Sequence, residues 1–239
     1  MTPHPASSGP TRIAENLARV HERIAAAAAR SGRSAEGVTL IAVSKGQPAE
    51  AVREAFEAGQ RIFGENRVQE GVAKMGALPA EAVWHLIGHL QTNKARLVPG
   101  HFPWMHTVDG ERVARALERY AATAGTKLEV LIQLNWCREP TKSGVSDRAE
   151  LEALLETVRQ CSALRLRGLM SMPDPAFDEA RTRAHFAEIR ELLGNVRGAF
   201  GLGPEFSALS LGMSHDFEWA IEEGATIVRV GTAIFGARS

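Results

Sequence analysis

The sequence predicts an α/β fold, a single (β/α)8 TIM barrel with an extra helix at its N-terminus. Three observations point there. Short apolar runs rich in branched residues alternate eight times with helical patterns. The chain has 239 residues, close to the roughly 250 typical of such barrels. No Gly-x-Gly-x-x-Gly follows the first strand, which weakens the competing reading, an open doubly wound sheet.

Residues 1–10 are rich in Pro and Ser with no hydrophobic segment behind them, so a flexible tail is expected there and not a signal peptide. Residues 11–239 are expected to form the barrel domain. Thr11 to Arg30 is helical by pattern, with Ile13, Leu17, Val20 and Ile24 on one stripe and Gly32 as a stop. Thr39 to Lys45 is the first strand, bounded by Gly46 and Pro48, and Ala49 to Ala58 a helix that ends at Gly59. Arg61 to Asn66 is a second strand. Asn66 with Gln69 fits a capping box for the helix that follows, although Asn66 also suits a polar contact at the strand end.

Val83 to Gly88 and Trp104 to Val108 are the next strands, followed by helices over Gln91 to Val98 and Glu111 to Ala122. Leu128 to Trp136 is a long fifth strand, Glu139 to Gly144 a loop, and Asp147 to Gln160 an amphipathic helix. Leu164 to Met172 and Ala208 to Met213 are strands six and seven, separated by a helix over Phe177 to Leu193. A short helix, Asp216 to Glu223, precedes the last strand, Thr226 to Val230.

Charge and composition narrow the function. There are 28 acids and 28 bases, and no basic stripe interleaves with aromatics, so nucleic acid is not an expected partner. No apolar run reaches the length of a membrane span. Cys137 and Cys161 form no short-spaced motif, which argues against a zinc ribbon or a disulfide framework. A cytoplasmic protein is expected, and the lack of long exposed apolar stretches suggests a monomer. Four histidines, His85, His89, His101 and His106, fall close together, but no carboxylate or cysteine joins them at a metal-site spacing. His85 reads as a strand or loop residue satisfied by hydrogen bonds.

The candidate site starts from Lys45. Period-two alternation places it on the face that carries Ile41 and Val43. Desolvation there lowers a lysine pKa toward the nucleophilic amine that imine formation needs. A strand-end lysine that snorkels to solvent is the plainer alternative. Only five of the 28 basic residues are lysine, and Lys45 is the first of them. Since arginine cannot form an imine, a retained lysine is mild evidence for chemistry. At the other end of the chain, Ser210-Leu-Gly-Met-Ser214 closes strand seven and Gly231-Thr232 closes strand eight. Barrels bind phosphate at these two loops, where small residues let the backbone approach, though Gly231-Thr232 also suits a plain turn. Ser214 can cap the helix that starts near Asp216. Arg229 interrupts a strand that should be buried on both faces, and alternation puts it with Ile227 and Gly231 in the barrel interior. A buried guanidinium must donate to something specific. Lysine, phosphate site and arginine together suggest a pyridoxal 5'-phosphate (PLP) pocket.

In order along the chain come Ala42-Val-Ser-Lys45, Gly64-Glu-Asn-Arg-Val-Gln-Glu70, and Trp84-His-Leu-Ile-Gly-His-Leu-Gln91 with Asn93-Lys94. Lys142-Ser-Gly144, Gly168-Leu-Met170, Leu209-Ser-Leu-Gly-Met-Ser214 with Asp216, and Val228-Arg-Val-Gly-Thr-Ala-Ile-Phe-Gly236 follow. Through these motifs, from Arg12 to Arg238, the sequence resembles the PLP homeostasis, or PLP-binding, proteins, which share the barrel of the alanine racemase N-terminal domain. One departure is Gly46, where that family often has threonine. The resemblance implies an imine on Lys45, Arg229 facing the pyridine nitrogen, and Ser214, Gly231 and Thr232 holding the phosphate. It implies Ser210, Met213 and Asn66 as pocket lining. It also implies a carrier or regulator of PLP supply without established catalysis, with PLP and PLP-dependent apoenzymes as partners.

Two other classes compete. A PLP-dependent amino-acid racemase of fold type III would need a second base, a tyrosine in the racemases this barrel resembles. Here the only tyrosine, Tyr120, falls near the end of a helix, and the chain stops after strand eight, where a second domain would be expected. Arg229 would also leave the pyridine nitrogen unprotonated, a weaker electron sink. A barrel isomerase acting on a sugar phosphate would use the same phosphate loops, with Glu65 as its obvious acid.

Overall fold

The computed structural model describes residues 11–139 and 141–237; the expected tail over residues 1–10 lies outside them. The first element is α1, Arg12–Arg30. Thr11 caps it by accepting from the Ala14 N–H, and Leu17, Val20, Ile24, Ala27 and Ala28 are its buried stripe. The eight strands are β1 (Thr39–Val43), β2 (Ile62–Glu65), β3 (Val83–Leu86), β4 (Trp104–Val108), β5 (Leu128–Leu134), β6 (Leu164–Ser171), β7 (Ala208–Ser210) and β8 (Ile227–Val230). They pair in sequence order, all parallel, into a closed barrel. The α-helices between them are α2 (Ala49–Glu57), α3 (Val68–Met75), α4 (Glu111–Thr123), α5 (Arg148–Arg159), α6 (Glu179–Ala199) and α7 (Phe217–Glu222). The last helix, α8, is a single turn, Thr232–Phe235.

The brevity of α8 explains the additional helix. A full eighth helix would cover the seam where β8 meets β1. Instead α1 packs among α2, α7 and α8 and occupies that sector. Asn16 Nδ2 donates to the Ile234 carbonyl at 2.7 Å, and Arg23 Nη2 meets Glu218 Oε2 at 2.6 Å.

Strand parity divides the core in two. One set of side chains fills the space between barrel and helices. A smaller set, Ile41, Leu131, Met170 and Ile227, fills the barrel interior. Gly64 faces that interior, and a Cβ on it would stand 2.7 Å from Ile41 and 2.8 Å from Ile87. Glycine there lets the two isoleucines meet. At the β1–β8 seam Ile41 pairs with Arg229, so the arginine enters the interior directly above this apolar layer.

Several boundaries differ from the sequence reading. The helix expected over Gln91 to Val98 is a 3-10 segment, Thr92–Leu97. Strand seven stops at Ser210 because Gly212 takes a φ of +82°. Pairing persists irregularly beyond it, through Leu211 N–H to Ile227 O and Arg229 N–H to Gly212 O. Asn66 does not cap α3, since the cap position is Arg67 and no side chain bonds there. Ser214 does not cap α7 either; it reaches across to the strand-eight loop instead.

Candidate functional site

β1 delivers Lys45 just past its end, in a tight turn closed by the Gln47 N–H on the Ser44 carbonyl. Gly46 holds φ +70° in that turn, a conformation costly for a residue with a Cβ, so the glycine departure has a local reason. The turn is clamped from both sides. Lys74 Nζ donates to the Ser44 carbonyl, Glu65 Oε1 and Glu70 Oε1, each at 2.7 Å. Glu70 Oε1 in turn accepts from the Gly46 N–H at 2.6 Å. Burial raises the Glu65 carboxyl, against the pull of Lys74 and Ser44. Lys74 and the Gly46 N–H lower Glu70, whose partial burial works the other way. Glu65 therefore points away from the barrel interior into this clamp, which removes the acid that a sugar-phosphate isomerase would need.

Lys45 lines a cavity of about 340 Å³ at the carboxyl ends of the strands. Asn66, Met213, Ser214, Arg229, Gly231 and Thr232 line the same cavity, so seven of the eight expected residues meet there. Ser210 does not line it. Ser210 is fully buried beneath Arg229, which donates through Nη1 to its carbonyl at 2.7 Å and its Oγ at 2.6 Å. Arg229 Nη2 also donates to the Ser171 carbonyl at 3.3 Å. These acceptors are neutral. Burial pulls the guanidinium down to about 10, with Asp216 acting in the other direction, so it stays charged at neutral pH. Opposite, Ser214 Oγ accepts from the N–H groups of Gly231 at 3.2 Å and Ala233 at 3.4 Å.

Sequence reasoning missed other wall residues, among them Ile87, His89, Gln133 and Met172. Gln133 shares inward parity with Leu131, a signal that was available; its Nε2 donates to the Ser143 carbonyl and ties down the loop over the mouth. Lys142 and Ser143 on that loop line the cavity, with Lys142 Nζ donating to the Pro173 carbonyl at 3.1 Å. His89 shares Nδ1 between Asp109 Oδ2 at 2.8 Å and Ser143 Oγ at 3.2 Å. His85 and His106 bond to each other, Nδ1 to Nε2 at 2.9 Å. Among the described residues no group of three or more His, Cys, Asp or Glu could hold a metal. Nor is any described helix long and apolar enough to cross a membrane.

The fold and the site define a class: parallel α/β barrels with a lysine after the first strand and a buried arginine on the last. A family model, the alanine racemase N-terminal domain, matches residues 15–239. The pyridoxal phosphate homeostasis protein of Escherichia coli K12 is 49% identical over 230 residues, covering 95% of this chain and 97% of its own length. Its namesake in Pseudomonas aeruginosa is 47% identical over 227 residues, covering 95% and 96%. PipY of Synechococcus elongatus, solved with PLP bound, superposes with a TM-score of 0.80 at 41% identity, covering 94% of this chain and all of that one. Alanine racemase from Bacillus anthracis, at 18% identity and a TM-score of 0.71, shares the fold. The chain belongs to the pyridoxal phosphate homeostasis protein family, within the alanine racemase N-terminal barrels.

Proposed function

We propose that the chain binds PLP covalently through Lys45 and serves intracellular PLP supply, as a monomeric cytoplasmic carrier that exchanges the cofactor with PLP-dependent apoenzymes. The observation that carries this reading is Arg229. It is a charged guanidinium, 5% exposed, set in a cavity wall on neutral acceptors and sharing that cavity with Lys45. A donor that cannot accept suits an unprotonated ring nitrogen. Bound PLP supplies an aldehyde that condenses with a lysine amine and an electron-withdrawing ring.

The residues fit such a group. The cavity is within the usual size of cofactor sites. A Cβ on Gly231 would stand 3.3 Å from Val43, another wall residue of the cavity, and glycine there leaves room beside Ser214 and Thr232, where the backbone suits a phosphate. Lys45 would hold the carbonyl carbon, Arg229 the ring nitrogen, and Ser214, Gly231 and Thr232 the phosphate, with Asn66 and Met213 against the ring. Spectral titration of the purified chain with PLP tests the reading: saturable binding at a ratio of one is expected, and no binding up to millimolar PLP would reject it.

A further inference from the structure

Beneath the cavity lies a row of buried polar groups to which none of the residues so far gives a role. Arg229 Nη1 donates to Ser210 Oγ at 2.6 Å. Ser210 Oγ lies 2.9 Å from His106 Nδ1, and His106 Nε2 lies 2.9 Å from His85 Nδ1. All four side chains are buried, on four different strands. His85 is further fixed by Trp104, which stacks on it with ring centres 5.3 Å apart and planes at 10°.

The chemistry of the donors fixes the arginine end of the row and permits one unbroken direction along it. A guanidinium has no acceptor, so Ser210 Oγ accepts from it. The hydroxyl keeps a second lone pair as well as its one proton, so its bond to His106 Nδ1 can run either way; in a one-way row the Ser210 proton goes to Nδ1, which accepts. A neutral imidazole has one donor and one acceptor, so His106 carries its proton on Nε2 and donates to His85 Nδ1. His85 in turn carries its proton on Nε2. Burial keeps both rings neutral: it pulls His85 to about 3, and it lowers His106 far below the usual range, with His85 and Arg229 adding to the effect. A carboxylate in place of Ser210 would also hold the guanidinium, but it would cancel the charge. A row of neutral groups holds it and leaves the charge available.

We propose that His106 and His85 are positioning residues for Arg229: a one-way row of hydrogen bonds, Arg229 to Ser210 to His106 to His85, orients the guanidinium toward the ring nitrogen of the bound cofactor without neutralising it. This rests on the reading that the cavity takes PLP. The row itself is a property of the protein alone.

Two measurements test it. The first is nitrogen NMR of the full chain labelled with ¹⁵N-histidine, at neutral pH. Both His106 and His85 should show protonated Nε2 and unprotonated Nδ1. A proton on His106 Nδ1, or a doubly protonated ring, overturns the row, and this needs no variant. The second compares PLP with the analogue that has carbon in place of the pyridine nitrogen. Wild type should prefer PLP by roughly 10- to 100-fold, the range of a charge-assisted hydrogen bond. His106→Leu should lose that preference while keeping wild-type affinity for the carbon analogue. His106→Asn, whose amide oxygen can replace Nδ1 as acceptor, should retain it. Equal weakening for both ligands in His106→Leu, or an unchanged preference, overturns the proposal. If His106→Leu does not fold, the tautomers decide. A wild-type chain that binds neither ligand counts against the cofactor reading, while the tautomers still decide the row.

Discussion

Replacing Lys74 with Met should destabilise the protein strongly at neutral pH and much less in mild acid. Lys74 is 8% exposed, and its ammonium satisfies Glu65, which is fully buried. Glu65 Oε1 accepts from Lys74 Nζ and Ser44 Oγ, both at 2.7 Å, while Oε2 is buried without a partner. Methionine preserves the volume but strands the carboxylate. Removing one member of a buried pair costs about 3–5 kcal/mol. For a chain of this size that lowers Tm by roughly 6–20 °C. Burial already raises the Glu65 carboxyl, and losing the cation raises it further. An acid raised in the folded state contributes stability below its unfolded pKa and loses it as pH rises through the folded one. The penalty should therefore shrink between pH 7 and pH 5, and Glu65→Gln added to Lys74→Met should recover most of it. Urea unfolding of the wild type, Lys74→Met and the double variant at both pH values is the assay. A cost under about 1 kcal/mol at pH 7, or one independent of pH, would refute the reasoning, because the carboxylate would then have another partner.

Lys45→Ala should abolish covalent PLP attachment and change stability by less than about 1 kcal/mol, since no core volume is lost; a full protein-bound imine band in the variant would place the linkage on another lysine. Gly231→Val should weaken PLP retention in equilibrium dialysis, because the side chain crowds Val43 in the cavity wall. An unchanged dissociation constant in a folded variant would move the phosphate elsewhere. With PLP bound, α-proton exchange on alanine in heavy water should be slow and without inversion. Tyr120 lies on α4, outside the barrel wall with Arg119 stacked on its ring at 4.7 Å, and cannot serve as a second base. Turnover with inversion at roughly 1–10³ per second would contradict this, and His89 on Asp109 would be the base to replace.

Much of the site was legible because period-two parity is local. Ile41 and Lys45, or Ile227 and Arg229, share a face whatever the rest of the chain does. The same parity over residues 61–66 separates Glu65 from Asn66, and the structure puts Glu65 in the Lys74 clamp. What parity cannot supply is the register between distant strands. The Ser210–His106 hydrogen bond joins residues 104 apart in sequence, and only barrel closure sets them side by side. Four clustered histidines raised the question of a metal, but two turn out to be partners buried under an arginine. Lys74, on a helix, carried no sign that its ammonium would be turned inward. Helix caps were less legible: Asn66 and Ser214 have the right side chains, but the chain turns so that neither meets its own helix.

Covalent attachment of PLP at Lys45 is tested most directly by chemical trapping. The purified wild-type chain is incubated with PLP, reduced with borohydride, digested and mapped by mass spectrometry. A reduced pyridoxyl-phosphate adduct on Lys45, at close to one per chain, is the expected result. An adduct confined to Lys142 or to exposed lysines, with Lys45 unmodified, would contradict it.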